Sequence, residues 1–161
     1  ASDRSCSGAE KEETVREAAG SSAIAMVRVR IDGGSRGNPG PSAIGVVVED
    51  ANGEELRTVS RTIGVGTNNV AEYRALLAGL EIAAQVGARS LEVVSDSELL
   101  VRQMRGEYKV KNEGLKPLHA EARERAAGFA RFAIRHVPRE ENARADELVN
   151  LALDEQEKTG L

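Results

Sequence analysis

Hydrophobic and polar residues alternate between residues 25 and 63 and then recur at the spacing of a helix. Alternation with a period of two is typical of a strand with one apolar face, and it predicts strands at 25–32, 43–49 and 54–63. Short turns rich in glycine, proline and asparagine separate the three strands. Consecutive strands joined in this way favour an antiparallel meander.

A helix is predicted at 70–86, where the apolar residues occupy one broad arc of the helical surface. Glu72 falls inside this arc, in the first turn. An unpaired charge on a buried face is costly, so this carboxylate requires a compensating partner.

The rest of the chain alternates strands and helices, which makes the predicted sheet mixed. A strand that is reached through a helix lies parallel to its neighbour, by a right-handed crossover. The order βββαβααβα predicts an α/β fold with a five-stranded mixed sheet, three strands antiparallel and two parallel, flanked by helices. After the first helix we predict a strand at 90–95, a short helix at 97–105, a polar connection at 106–117, a helix at 118–128, a strand at 132–137, a loop at 138–142 and a helix at 143–154.

Length and composition indicate a single domain. The 161 residues suffice for one core, and we expect a flexible acidic tail at 1–22 and the folded domain at 23–161. The sequence contains neither an apolar run long enough to cross a membrane nor the apolar segment of a signal peptide. Cys6 is the single cysteine, which excludes an internal disulfide and a cysteine metal cluster. We therefore expect a cytoplasmic monomer.

Acidic residues provide the candidate chemistry. The net charge of −4 argues against a tight, non-specific nucleic-acid binder, but it permits an enzyme that holds nucleic acid locally. Four acids stand at junctions between predicted elements: Asp32, Glu72, Asp96 and Asp146.

Each of the four acids has a structural alternative to a metal site. Asp32 could begin a turn, and Asp146 lies in the first turn of the last helix, where the helix dipole favours an acid.

The other two acids also have structural alternatives. Asn69 and Glu72 have the spacing of a capping box, in which Asn69 is the N-cap. Asp96 could cap the following helix itself, or follow Ser95 in a box that ends at Glu98. Taken singly, each of these alternatives explains its acid as well as a metal site does.

Taken together, the four acids indicate a metal site. The first and fourth strands can be neighbours in the sheet, which would bring the Asp32 and Asp96 ends together. Clustered carboxylates repel one another and raise their pKa values, and bound cations relieve that repulsion. Oxygen ligands in this number suit two Mg²⁺ or Mn²⁺ ions, and two such ions about 3.5–4 Å apart can hydrolyse a phosphodiester. No histidine or cysteine set has the spacing of a zinc site.

Four motifs in order identify a resemblance to type I ribonuclease H over about residues 27–153. The resemblance implies the ribonuclease H-like fold and hydrolysis of the RNA strand of RNA–DNA hybrids, leaving 5′-phosphate and 3′-hydroxyl ends. The motifs are Asp32-Gly-Gly-Ser-Arg-Gly-Asn-Pro-Gly-Pro41, Thr67-Asn-Asn-Val-Ala-Glu72-Tyr, Ser95-Asp96-Ser97-Glu98-Leu and Asn142-Ala-Arg-Ala-Asp146-Glu-Leu.

The resemblance also implies roles for individual residues. The four acids would form the catalytic tetrad that binds two Mg²⁺ or Mn²⁺ ions, and Glu72 would lie close to the RNA 2′-hydroxyl group. The asparagines would contact the minor groove and Thr67 would lie near a DNA phosphate, since amides and backbone groups can read a hybrid without a sequence code. The implied substrate-binding residues are Gly33, Gly34, Ser35, Asn38, Thr67, Asn68 and Asn69.

Two departures from the family pattern stand out. Many members carry a histidine in the loop before the last acid, where this chain has Arg139, as in an archaeal-like subgroup. We expect Arg139 to assist departure of the product phosphate electrostatically, because arginine stays protonated and cannot act as a general acid or base. His136 lies at a predicted strand end, where we expect a structural role.

The polar connection is the second departure. Some members have a basic, tryptophan-rich segment here that grips DNA, whereas this chain has three lysines diluted by acids and no tryptophan. Two interpretations remain equally open: an ordinary solvated loop and a segment that binds DNA weakly. The lysines are Lys109, Lys111 and Lys116.

Two other functions remain open from the sequence. Another nuclease could use the same fold, because fold does not determine function. A hybrid-binding module that has lost catalysis is the non-enzyme alternative, although the presence of all four acids argues against it.

Overall fold

The computed structural model describes residues 25–159, so the expected tail at 1–22 lies outside the described residues. Its element order confirms the predicted one. The elements are β1 (Met26–Ser35), β2 (Gly40–Glu49), β3 (Glu55–Gly66), α1 (Asn68–Gln85), β4 (Ser90–Ser95), α2 (Glu98–Met104), α3 (Lys116–Ala126), β5 (Arg131–His136), a 3₁₀ turn (Arg139–Asn142) and α4 (Ala143–Lys158).

The five strands form one mixed sheet in the order β3-β2-β1-β4-β5. β1 pairs with β2 and β2 with β3 in antiparallel fashion, while β1, β4 and β5 run parallel. The predicted mixed sheet is therefore confirmed. β1 lies at its centre, and β4 is its parallel neighbour because α1 crosses over between them.

Helices cover both faces of β2, which explains its continuous burial. Ile44, Val46 and Val48 belong to the main core together with α1, whereas Ala43 packs with α4 residues in a second, smaller cluster. A strand buried on both faces shows an apolar run rather than an alternation. Gly79 lets α1 approach β1 closely.

The starts of α1 and α3 differ from those predicted, whereas α4 begins at Ala143 as predicted. α1 begins at Asn68, and its N-cap is Thr67, whose hydroxyl accepts a hydrogen bond from Val70 N (3.2 Å). The capping-box explanation of Glu72, with Asn69 as N-cap, is therefore wrong. α3 begins two residues earlier than predicted and has Pro117 in its first turn, a position where proline is tolerated.

α2 also has a different cap from the ones considered. Ser97 is its N-cap and accepts a hydrogen bond from Leu100 N (3.3 Å). The Ser95 hydroxyl accepts from Ser97 N (3.0 Å), just ahead of the helix. Asp96 is thus not the helix cap, and no box from Ser95 to Glu98 forms.

Among the described residues, no helix has the length and apolarity that crossing a membrane requires.

Candidate active site

The register of two parallel strands brings Asp32 and Asp96 together. Ile31 in β1 is the partner of Ser95 in β4, and each acid is the next residue along its chain. The carboxyl ends of parallel strands share one edge of a sheet, where ligands collect in α/β proteins. The two acids therefore lie side by side at that edge.

Glu72 joins them because α1 approaches β1 very closely. A Cβ on Gly33 would lie 2.3 Å from the carbonyl carbon of Ala71 and 2.6 Å from the Glu72 nitrogen, so glycine is required there. Carboxylate oxygens of Asp32, Glu72 and Asp96 lie within 4.8 Å of one another. Glu72 Oε1 is buried and has no hydrogen-bond partner among residues 25–159.

Asp146 approaches from the opposite face of the sheet, in the first turn of α4. Asn142, just before the helix, is fully buried and donates to the Ile31 carbonyl (2.7 Å). Gly45 permits close packing, since a Cβ there would lie 2.2 Å from the Ala145 carbonyl oxygen. These two contacts place the start of α4 beside Asp32.

The Asp146 carboxylate has polar partners of its own. Arg139 Nη2 lies 3.2 Å from Asp146 Oδ1, and Asn150 Nδ2 donates to Oδ2 (3.3 Å). The side chain of Asp146 is 28% exposed, whereas the whole of Asp32 is only 6% exposed. All four acids and Arg139 line one open cleft.

The protonation of the cluster reflects burial and mutual repulsion. Burial raises the pKa of Asp32 to about 8, and the neighbouring Asp96 and Asp146 add to the rise. Burial raises the pKa of Glu72 well above its ordinary range, with further contributions from Asp32 and Asp96. Burial also raises the pKa of Asp96, although the Arg139 charge opposes this shift. A cation bound here would favour the ionised forms.

The donor set fits a divalent cation. Carboxylate oxygens are the ligands that Mg²⁺ and Mn²⁺ prefer. The unpartnered Glu72 Oε1 is the strongest sign, because a buried acceptor without a donor is costly unless it binds something else. Among the residues that the structure describes, Asp32, Glu72 and Asp96 form the group whose oxygens are close enough to share an ion.

Comparison with known proteins identifies the family. A family model described as "Reverse transcriptase-like" matches residues 30–152. The chain is 44% identical to "Ribonuclease HI" of Halobacterium salinarum over 129 residues, 80% of this chain and 65% of that protein. The crystal structure of RNase H1 from the same archaeon covers 81% of this chain and 98% of its own, with a TM-score of 0.79. The chain belongs to the type I ribonuclease H family.

Two further matches place this ribonuclease H chain among its relatives. LC11-RNase H1, solved in complex with an RNA/DNA hybrid, is 47% identical with a TM-score of 0.77, and covers 81% of this chain and 98% of its own. "Bifunctional protein Rv2228c" of Mycobacterium tuberculosis is 46% identical over 80% of this chain. This chain spans about a third (35%) of the length of that relative.

The substrate-binding residues predicted for this ribonuclease H chain lie next to the acids. Ser35 N donates to Asn68 Oδ1 (2.9 Å), and Asn68 N donates to Asn38 Oδ1 (3.0 Å), which holds the β1–β2 loop (residues 36–39) against the start of α1. Gly33, Gly34, Ser35 and Asn68 line the cleft. Asn38, Thr67 and Asn69 line a neighbouring pocket.

Arg139, the first departure from the family pattern, lines the cleft, and His136 ends the strand before it. Arg139 begins the 3₁₀ turn, and its side chain is 76% exposed while it pairs with Asp146. His136 is exposed at the end of β5, and a positive charge there would oppose the rise in the pKa of Asp96. Arg139 is therefore the closer of the two to the proposed chemistry.

The three lysines of the polar connection have acidic neighbours, Glu113 beside Lys116 and Glu107 in the groove that Lys109 and Lys111 line. Lys116 pairs with Glu113 (2.8 Å). Lys109 and Lys111 line a shallow groove with Tyr108, whose ring lies 5.4 Å from the Arg102 guanidinium carbon.

Three residues near the site were not predicted from the sequence. Asn112 lines the pocket formed by Thr67 and Asn69, although it lies in the polar connection, far along the chain. Arg36 and Asn150 line the acidic cleft. Arg36 stood within a recognised motif, but nothing in the sequence pattern distinguished Asn112 or Asn150 from ordinary surface asparagines.

Proposed function

We propose that this chain, with its catalytic domain at 23–161, hydrolyses the RNA strand of RNA–DNA hybrids. The observation that carries the proposal is the group of three carboxylates whose oxygens lie within 4.8 Å of one another, one of which has a buried oxygen without a partner in the described part of the chain. The family membership and the hybrid bound to LC11-RNase H1 support the choice of substrate. The products are a 5′-phosphate and a 3′-hydroxyl.

Asp32, Glu72, Asp96 and Asp146 would hold two Mg²⁺ or Mn²⁺ ions. When bound, the ions supply activation of a water for in-line attack and stabilisation of the leaving 3′ oxygen. Asp32 anchors the group from within β1, and Glu72 contributes its unpaired buried oxygen. Both acids are held by packed backbone, so the ligand geometry is set before substrate arrives.

Arg139 supplies a permanent positive charge at the edge of the cleft. The neighbouring acids raise its pKa further, with Asp146 the largest cause, so it stays protonated during turnover. It can attract the product phosphate and assist its departure, but it cannot transfer a proton.

The asparagines beside the cleft suit the minor groove of a hybrid. Asn38 and Asn68 use their side-chain oxygens within the protein, which leaves their NH₂ groups as donors. Donors match the acceptors of the minor groove and the RNA 2′-hydroxyl, which separates RNA from DNA. Asn69 remains a proposed minor-groove contact, and we assign a DNA phosphate to Thr67, whose hydroxyl can donate to it in the pocket that Asn112 also lines.

A labelled RNA–DNA hybrid tests the proposal, with single-stranded RNA, double-stranded RNA and DNA as parallel substrates. We expect internal cuts in the RNA of the hybrid that disappear with EDTA and return with Mg²⁺ or Mn²⁺. Digestion from an end would indicate another nuclease of the same fold. Binding without cuts would indicate a catalytically silent module.

A further inference from the structure

Arg36 joins the β1–β2 loop to the far half of α4. Its guanidinium Nη1 lies 2.7 Å from Glu157 Oε2, and Nη2 lies 2.9 Å from Asp154 Oδ1. Nη2 also donates to Asn150 Oδ1 (3.2 Å). Three partners on successive turns of one helix define the orientation of the guanidinium plane.

Asn150 extends this link to Asp146. Its Nδ2 donates both to the Asp146 carbonyl (3.1 Å) and to Oδ2 of the Asp146 carboxylate (3.3 Å). Arginine can only donate hydrogen bonds, so Arg36 must face the oxygen of the Asn150 amide. The NH₂ group then has to face Asp146. Without Arg36, the amide oxygen loses its donor, and only the two contacts of the NH₂ group with Asp146 still hold the amide in this orientation.

We propose that Arg36 is a positioning residue that acts through Asn150 to orient the Asp146 carboxylate for metal binding. The inference rests on the proposed function, because it takes Asp146 to be a metal ligand. Arg36 follows directly after Ser35 and precedes Asn38, which are proposed hybrid contacts. The same link therefore couples the hybrid-binding loop to the metal site, and such coupling is reciprocal.

An Arg36 variant distinguishes the proposal from a purely electrostatic effect of the Arg36 charge. Loss of a positive charge beside a cation site, together with release of Asp154 and Glu157, strengthens cation binding through space. If Arg36 acts by orienting Asn150, its loss weakens cation binding instead. The sign of the change therefore separates the two explanations.

The experiment measures Mn²⁺ binding to the full chain without substrate, by titration calorimetry and by the electron paramagnetic resonance signal of free Mn²⁺. Asn150→Leu should weaken binding about tenfold, as is usual for a residue that orients a metal ligand. Arg36→Ala should weaken it roughly fivefold, in line with the loss of one hydrogen bond. The double variant should bind no more weakly than Asn150→Leu, because both residues act along one path.

Arg144→Ala is the matched control. Arg144 lies on α4 with Asn150 and, like Arg36, pairs with two acids, Glu55 and Glu147, but its hydrogen bonds within the described residues go to those acids and not to Asn150. Arg36→Lys keeps the charge and should recover part of the affinity. Circular dichroism and thermal unfolding verify that each variant is folded.

The outcomes separate this inference from the proposed function. If the unaltered chain binds no Mn²⁺, the proposed metal site and this inference both fail. If the unaltered chain binds Mn²⁺ and Arg36→Ala binds it equally or more tightly, only the inference fails. Weaker hybrid binding with unchanged Mn²⁺ affinity would show that Arg36 contacts the substrate directly and would also overturn the inference.

Discussion

The two sides of the acidic cleft are built on different principles. On the inner side, Asp32, Glu72 and Asp96 are held together by strand register and close backbone packing. On the outer side, Asp146 sits on a helix that covers the other sheet face, and it is oriented by side chains, Arg139 and Asn150.

The charges of the two sides are balanced differently. Within the described residues, none of the three inner acids forms an ion pair, whereas Asp146 pairs with Arg139. Burial and repulsion make the inner acids costly to ionise without a bound cation. Under the proposed function, the inner side would therefore depend on an ion from solution, whereas a metal ion on the outer side would compete with the Arg139 guanidinium for Asp146.

The largest effect should follow from altering the inner side. Asp32→Asn removes a proposed metal ligand, so hybrid cleavage should fall by more than about 100-fold, beyond the usual loss for residues that only orient ligands. Hybrid binding should stay near normal. The metal-free fold should become more stable, because one member of a repelling cluster is neutralised.

Cleavage assays and thermal unfolding in EDTA test both effects together. Glu124→Gln, an exposed acid on α3, is the control and should change neither. Full activity in Asp32→Asn would remove the inner side from the chemistry.

Glycine substitutions perturb the two sides one at a time. Gly33→Ala forces α1 away from β1, and Gly45→Ala forces α4 away from β2, each at a cost of about 1–3 kcal/mol in the free energy of unfolding. Gly33→Ala should also weaken Mn²⁺ binding more strongly than Gly45→Ala does, since it displaces Glu72.

Urea unfolding and Mn²⁺ titration provide the measurements. Gly66→Ala is the control, because its Cβ would lie 3.7 Å from the nearest atom and should be accommodated. Equal Mn²⁺ affinities in the two variants would contradict the division of the site into two sides.

The pH dependence of stability should report the inner acids. Their pKa values are raised in the folded state, so the folded protein binds more protons than the unfolded one between about pH 4 and 8. The free energy of unfolding in EDTA should then fall as pH rises through this window, by more than the roughly 1.4 kcal/mol equivalent to one pKa unit.

Denaturant titrations at pH 5 to 8.5 measure this change. Asp32→Asn should reduce it, and saturating Mn²⁺ should restore stability most at the alkaline end. Stability that rises with pH in EDTA would mean that the inner acids are relieved within the protein.

The smallest effect is expected on the outer side. Arg139→Ala should lower turnover roughly fivefold, about the effect of an exposed charge pair, while cleavage stays detectable. Mn²⁺ should bind the free protein more tightly, because Asp146 no longer pairs with arginine.

Steady-state cleavage should thus show a lower turnover, while titration should show a higher Mn²⁺ affinity. Arg144→Ala serves again as the control. Unchanged turnover would remove the role of Arg139.

The order of elements was predictable because each depends on local periodicity. The alternation at 25–32 and the helical arc at 70–86 are properties of neighbouring residues, and both elements form close to the predicted bounds. The cap at Thr67 was missed because Asn69 and Glu72 have the spacing of a capping box, which competes with it. Such an ambiguity is resolved only when α1 packs on β1.

By itself, the sequence determined the fold class and the family and marked the four acids as candidates, since these follow from local patterns and from four motifs in order. Only the tertiary structure decided that Ile31 is the partner of Ser95, that Asn112 joins Thr67, and that Arg36 reaches Asp146 through Asn150. The physical reason is that these contacts join residues far apart along the chain. Their distances are set by sheet register and by how closely each helix packs on the sheet, and neither leaves a periodic signal in the sequence.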